Sequence, residues 1–391
     1  MAEVTLYDRE SVVHLRFPNT RAGQLAADYF LPIVKNGTRN YIDNVDQPLL
    51  IAKVDNEVVP LVINNGEQDR CYLTSPIAYY IHYVADFIST INQKSLRISL
   101  QLLIYGLKHI FGLLKLNRVV YVNNWLLPTG PFLALERKQV ESLIKKLSCQ
   151  FPQHAIVFKG CTETAHEQLK RMAETGLLKI VHRQVYTWDQ STVEDINLST
   201  AKQRRTFKTD QKFLKNTPYQ LSCMNGKHVE KLDYSQALSN LYRELYVKKY
   251  SRYSLQYNER WFQHTLTSEC FNFVGFFNKA SEQTLEGFIS YYKSEQQLIS
   301  SLVGHQTLEA KDTGLYRCSI SYLCKQSKEE NLPVNLSSGA GEFKRRRGAK
   351  PSFEFDFVYI DHLSKWQQFG WRLLALLYNT LAKKIFTTMK V

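Results

Sequence analysis

The chain's 391 residues have room for roughly two or three ordinary domains, and 44% apolar content with 13% aromatics excludes a disordered or low-complexity protein. A net charge of +14 favours anionic partners such as nucleic acid, CoA-type phosphates or an acidic membrane surface, with plain solubility as the alternative. Cys71, Cys149, Cys161, Cys223, Cys270, Cys318 and Cys324 lie scattered without a Cys-x-x-Cys or matching His pair. That pattern speaks against zinc and a disulfide framework, and for reduced thiols in a cytoplasmic protein.

The first residues, Met-Ala-Glu-Val-Thr-Leu-Tyr-Asp, are acidic and lack the apolar stretch of a signal peptide. Short strands are expected at Val12–Phe17, Leu49–Val54 and Val58–Val62, the last two around a turn at Asp55-Asn56. Helical periodicity covers Ile77 to about Leu116 with a break near Asn92. Its most apolar window, Leu96–Leu116, carries Arg97, Gln101, Lys108 and His109, which predicts a buried amphipathic core helix and not a membrane span. A strand at Arg118–Asn123, the turn Pro128-Thr-Gly-Pro131, a helix over Arg137–Cys149 and a strand at Ala155–Phe158 follow. Gly160, a helix over Glu163–Thr175 stopped by Gly176, and a strand over Ile180–Trp188 complete this half.

The polar stretch Asp189–Ala201 separates the halves, giving expected domains of 1–190 and 200–391. The second half opens on a basic helix, Lys202–Lys215, followed by helices over Tyr234–Lys249 and Glu259–Leu266. Phe271–Asn278 and Leu285–Tyr292 form a hairpin pattern, with a further strand at Gln297–Val303. A helix from Leu315 to about Glu330 leads to a strand at Val334–Leu336, then a glycine-rich basic loop, then a strand at Phe353–Tyr359. A cationic amphipathic helix over about Leu363–Ile385 closes the chain. The order strand, glycine, connector, aromatic strand occurs in both halves (Ala155 to Tyr186 and Val334 to Tyr359), which suggests a tandem duplication without a detectable sequence repeat.

The loop 337–351 sets Gly339, Gly341 and Gly348 around Lys344, Arg345, Arg346, Arg347 and Lys350. Bare backbone beside positive charge suits an anionic cofactor or an acyl carrier. Together with Gly314-Leu-Tyr-Arg, the helix ending Lys328-Glu-Glu-Asn-Leu-Pro, the run Val334-Asn-Leu-Ser-Ser-Gly-Ala-Gly-Glu-Phe-Lys344 and the basic helix Lys202-Gln-Arg-Arg-Thr-Phe-Lys208, it resembles the GNAT acyltransferase superfamily. More narrowly, these residues resemble the divergent branch with the Fem-type peptidyltransferases and related acetyltransferase-like domains. The resemblance covers 200–391 well and 1–190 only vaguely. It implies an α/β fold of two tandem GNAT-like domains, mixed twisted sheets flanked by helices, with a degenerate first domain. The implied activity is N-acyl transfer from a thioester, acyl-CoA or acyl carrier protein, to a small amine, with no tightly bound cofactor. A Fem-type aminoacyl-tRNA-dependent transferase and a non-catalytic GNAT-fold binding protein stand as alternatives. The segment His305–Gly314, where a GNAT protein carries its pyrophosphate-binding Gln/Arg-x-x-Gly-x-Gly/Ala turn, lacks that pattern, so the nature of the donor stays open.

The resemblance assigns Phe343-Lys344 to the acyl donor, with Lys344 on an oxyanion or phosphate. Lys344 as one more cation of a solvated tract is the equal alternative. Gly339, Gly341, Arg345, Arg346 and Arg347 would cradle and neutralise phosphates. Glu342 is a candidate acceptor of the amine proton, against a simple salt-bridge role, and Tyr316 a candidate proton donor to the leaving thiolate, against a core role. His305 is a base candidate by type alone. The stripe Arg204, Arg205, Lys208, Lys212, Lys215 suits tRNA or an acidic carrier helix, or is a solvated face. The last helix, with Trp366, Phe369, Trp371, Leu374 and Leu377 beside Lys365, Arg372, Lys383 and Lys384, either packs on the second domain or rests peripherally on an anionic membrane.

Overall fold

Twelve strands hydrogen-bond into one mixed sheet in a computed structural model that describes residues 2–89, 91–195, 199–226, 234–281, 284–306 and 314–383. In chain order they are β1 (Val4–Tyr7), β2 (Leu49–Val54), β3 (Glu57–Asn65), β4 (Arg118–Val122), β5 (Ala155–Thr162), β6 (Leu178–Trp188), β7 (Tyr219–Cys223), β8 (Asn272–Asn278), β9 (Leu285–Lys293), β10 (Leu298–His305), β11 (Val334–Asn335) and β12 (Lys350–Tyr359). Their order across the sheet is β1-β2-β3-β4-β5-β12-β6-β11-β10-β9-β8-β7. The expected fold class is thus what is observed, an α/β protein with a large mixed sheet flanked by helices.

The two halves mirror one another along this sheet. Each begins with an antiparallel meander, β1 to β4 and β7 to β10, and each continues with one parallel pair, β4 with β5 and β10 with β11. Their last strands then change places. β12 lies between β5 and β6, while β6 lies between β12 and β11. Neither half closes its sheet with its own chain. Three apolar clusters cover the sheet: one spans both halves on one face, and one each backs the first and the second half on the other.

The exchange sets the register at the centre. β6 is buried almost throughout, as a strand covered on both faces requires, yet it carries His182, Arg183 and Gln184. A bulge shifts the β6–β12 pairing between Glu354 and Phe355, and a second shifts β12–β5 between Phe355 and Phe357. Neighbouring residues of a regular strand face opposite sides; a bulge re-aims them. His182 and Arg183, though adjacent, both address Glu354.

Three expectations are corrected. Residues 12–17 form no strand, because the Asp8 carboxylate accepts from the backbone of Glu10 and Ser11 and from the Ser11 hydroxyl, which starts a 3-10 turn over Ser11–His14. A helix over Arg21–Asn36, capped by Thr20, stands where none was expected. The apolar window at 96–116 forms the helix Lys94–Leu113, but that helix lies on the surface: Leu102 is 68% and Leu113 83% exposed, and Phe111 is its buried residue. Among the described residues no helix is long and apolar enough to cross a membrane.

Candidate active site at the exchanged strands

The loop after β11 folds over the seam between the halves. Ser337, Gly339 and Ala340 take left-handed backbone conformations (φ +61°, +77° and +49°), turning the chain into a short helix, Gly341–Arg345. The loop is stitched to β6 by Leu336 N–H donating to the Tyr186 carbonyl and Tyr186 N–H donating to that of Ser337. This geometry carries Lys344 inward, to 2% exposure. Its Nζ donates to the carbonyls of Leu336 (2.7 Å), Ser337 (3.2 Å) and Ser338 (2.9 Å) and lies 5.5 Å from the Tyr186 ring centre. Dipoles alone solvate this amine. Burial, then the charge of Arg183, push its pKa down to about 7.

Arg183 is the hub of the seam. It donates to the Pro128 carbonyl (2.5 Å), to Thr129 Oγ1 (2.9 Å) and to Glu354 (3.0 Å), and Thr129 in turn contacts the Ser337 hydroxyl at 2.8 Å. Burial works against its charge, but Glu354 more than offsets this and its pKa is raised. The same charge reaches Tyr72, Tyr79, Tyr83 and Tyr246, phenols that burial holds neutral. Tyr72, Tyr79 and Tyr83 have ring centres 5.1–6.1 Å apart, and Tyr79 stacks on His182 at 4.2 Å.

On the first half's side, Asp356 sits 3.2 Å from His182 Nδ1 and 3.7 Å from Lys159 Nζ, and accepts from Tyr80 at 3.1 Å. Burial would raise this carboxyl, but Lys159 and His182 outweigh it and hold Asp356 well below the usual carboxylate range. Burial lowers the pKa of His182 although Asp356 pulls the other way. Lys159 begins where β4 and β5 diverge, beyond the Val122–Phe158 pair, with Gly160 (φ +77°) after it. Asn123 bridges that wedge by donating to the carbonyls of Pro131 and Lys159 and accepting from the Trp125 indole. A cavity of about 20 Å³ in the wedge has Lys159, His182 and Glu354 in its wall. Through Asn123, Trp125 and Pro131 it shares its lining with a cleft of about 420 Å³ bounded by residues near Thr20, Glu57, Leu133 and Tyr292.

The remaining expected site residues fall around Lys344. Phe343 packs on Tyr316 at 5.1 Å and lies 3.3 Å beneath the Arg347 guanidinium. Arg347 pairs with buried Asp210, which also holds Arg317. Arg345 donates to the Tyr186 hydroxyl at 2.8 Å, and Arg346 pairs with Glu342 at the surface. Gly341 is buried and Gly339 exposed. The basic loop is therefore no open tract of cations: Lys344, Arg345 and Arg347 are engaged inward, and Glu342 points to solvent beside Arg346. Burial raises the pKa of Tyr316. His305 donates its ring N–H to the Gln306 carbonyl. Residues 307–313, most of the expected pyrophosphate turn, and Lys384 lie outside the described residues. Lys159, His182, Arg183, Glu354 and Asp356 enter the site unannounced, although carboxylates alternating with aromatics in Phe353-Glu-Phe-Asp-Phe357 are a signal of charge in a central strand.

No protein-family model matches the sequence, and no curated protein matches it. Solved structures similar to the chain include L-PGS from Bacillus licheniformis, at 12% identity over 61% of this chain and 78% of that one with a TM-score of 0.43. FemX is similar at 9% identity, covering 66% and 83%, with a TM-score of 0.43. A GCN5-related N-acetyltransferase from Kribbella flavida is similar at 9% identity, covering 91% and 71%, with a TM-score of 0.34. Likeness at this level says nothing of donor or acceptor.

Proposed function

We propose that the protein transfers an acyl group from a thioester, acyl-CoA or an acyl carrier, to a small amine, at the seam between a degenerate, acceptor-binding half (1–190) and a catalytic half (200–391). The observation that carries this is Lys344: a buried amine with a pKa near 7, no carboxylate partner among the described residues, and Arg183's charge beside it. The acceptor amine attacks the acyl carbonyl, and the oxyanion that forms is stabilised by the positive charge of the seam. The carbonyl–sulfur bond then breaks, protonated Lys344 gives its proton to the leaving thiolate, and the neutral lysine amine takes up the proton that the acceptor nitrogen sheds as the amide forms. A general acid works best with a pKa close to the operating pH. The 420 Å³ cleft is large enough for a small acceptor, within the roughly 300–1,000 Å³ of ligand sites, and it shares Asn123, Trp125 and Pro131 with the small cavity walled by Glu354, the partner of Arg183.

A second reading, a Fem-type transferase using aminoacyl-tRNA, draws support from the helix Ala201–Lys215. Lys202, Arg205, Lys208, Lys212 and Lys215 are exposed along it, and its one carboxylate, Asp210, is buried against Arg317 and Arg347. A carboxylate-free cationic face suits a phosphate backbone. The test is release of free thiol from acyl-CoAs and acyl-carrier thioesters with mixed amines, in parallel with deacylation of aminoacyl-tRNA, wild type beside Lys344→Ala. Thiol release abolished by the substitution supports the first reading, and salt-sensitive tRNA deacylation the second. Turnover of neither donor class overturns both and leaves a binding protein.

A further inference from the structure

The helix Lys94–Leu113 has two apolar faces, and the protein covers one. Ile104, Leu107, Phe111 and the following Leu114 recur at three- and four-residue spacing and pack into the core. On the opposite face Ile98, Leu102, Tyr105 and Leu113 recur at similar spacing and stand exposed, with His109 edge-on to Tyr105 at 4.7 Å. The helix Lys365–Leu377 repeats the arrangement. Trp371 and Leu374 are buried, while Trp366 (75% exposed), Phe369 and Leu376 face outward. The second helix meets the chain just beyond the first: a methyl group on Gly370 would lie 2.6 Å from Leu116 Cδ1 and 3.0 Å from Leu114 Cδ1. Scattered exposed apolar residues are ordinary, but a stripe of them along a helix is not.

Cations accompany both stripes, and the carboxylate of Asp69 lies within electrostatic reach of Lys108. Lys94, Lys108 and Lys115 accompany the first helix, and Lys365, Arg372 and Lys383 the second. No Asp or Glu occurs between Asp86 and Glu136, nor after Asp361. A large apolar side-chain set with a tryptophan, on helices that carry cations and no carboxylate of their own, matches the boundary between anionic headgroups and acyl chains. The apolar side chains enter the acyl region while the cations meet phosphates. We propose that these two helices form a docking surface for an anionic phospholipid bilayer, lying in the plane of the interface. The surface is independent of the chemistry at Lys344.

The experiment is co-sedimentation of the full chain with vesicles of phosphatidylcholine alone and of phosphatidylcholine mixed with phosphatidylglycerol. The wild type binds the anionic vesicles in preference to the neutral ones. The pair Leu102→Glu and Phe369→Glu weakens that binding about tenfold or more, and Lys108→Gln with Arg372→Gln weakens it less but removes the preference for phosphatidylglycerol. All four positions are exposed, so thermal melting stays unchanged and separates lost docking from lost folding. Binding to neither vesicle overturns the proposal, as does anionic binding that both variants retain. A concentration-dependent dimer abolished by Leu102→Glu, without vesicle binding, also overturns it and assigns the face to a second copy of the chain.

Discussion

Among the described residues each half of the molecule buries one lysine next to its parallel strand pair, and the two are solvated in opposite ways. Lys159, beyond the β4–β5 pair, faces the carboxylate of Asp356 at 3.7 Å. Lys344, beyond β11, faces three backbone carbonyls and the positive charge of Arg183. A buried ammonium with a carboxylate is one half of a neutral pair, and its role is to join β5 to β12 across the strand exchange. A buried ammonium held by dipoles alone beside a like charge gives up its proton near neutrality. Partner chemistry, more than depth, separates a structural lysine from a reactive one.

Substitution separates the two most sharply. Lys344→Met keeps the apolar stem and removes the amine; turnover of the competent donor falls by about 100-fold to 10,000-fold, the usual contribution of a positioned acid. Lys159→Met leaves the Asp356 carboxylate with His182 and the Tyr80 hydroxyl but no full countercharge, and stability in urea falls by about 3–5 kcal/mol, as for other broken buried pairs. Equal effects of the two substitutions on both readouts would erase the distinction.

A smaller effect lies in pH. In the proposed role protonated Lys344 is the donor, so turnover should decline as pH rises through about 7. Arg183→Met combined with Glu354→Gln removes a neighbouring positive charge without stranding its partner, which raises the Lys344 pKa and moves the decline to higher pH. The same depression gives a linkage. Folded Lys344 loses its proton near 7, while the unfolded chain keeps it to roughly 10.4, so wild-type stability rises between those values relative to Lys344→Met. Asp356 acts at the other end of the scale. Its lowered pKa contributes stability that is complete above the unfolded carboxylate value of roughly 3.9 and is lost as pH falls below it. Denaturation midpoints of wild type and Asp356→Asn therefore converge in acid.

These pairs were only half legible in the sequence. The helix Leu315–Glu330 is bounded as read because Gly314 and Asn331, both at positive φ, punctuate it, and at Gly314 the Phe213 ring leaves no room for a side chain. Phe343-Lys344 stood out through its glycine-rich surroundings. Arg183 and Glu354 did not, since no linear pattern tells that β12 enters between β5 and β6 and brings residues 171 positions apart into contact. The helix Arg21–Asn36 carries its apolar recurrence unbroken, Leu25, Ala26, Tyr29, Phe30, Ile33 and Val34, and what argues against it in the sequence is Pro32, a residue that usually ends a helix. For Lys94–Leu113 the apolar residues fix that the helix forms, but burial depends on a partner surface that the chain supplies to one face alone.

The smallest expected effect concerns Glu342, two residues from Lys344 and on the same short helix. Glu342 is exposed and pairs with exposed Arg346 one turn on. Such i,i+4 pairs in water contribute about 0.3–0.5 kcal/mol, because solvent screens the charges and both side chains are held at an entropic cost. A general base for the acceptor amine would have to meet substrate, whereas the interior side of this helix is occupied by Lys344 and Arg347. Glu342→Gln should accordingly leave turnover within about twofold of wild type and its pH profile unmoved, with stability altered by less than about 0.5 kcal/mol. A loss of turnover as large as that of Lys344→Met would put the reacting amine outside the seam, on the solvent side of the loop, and would dissolve the contrast between the two lysines.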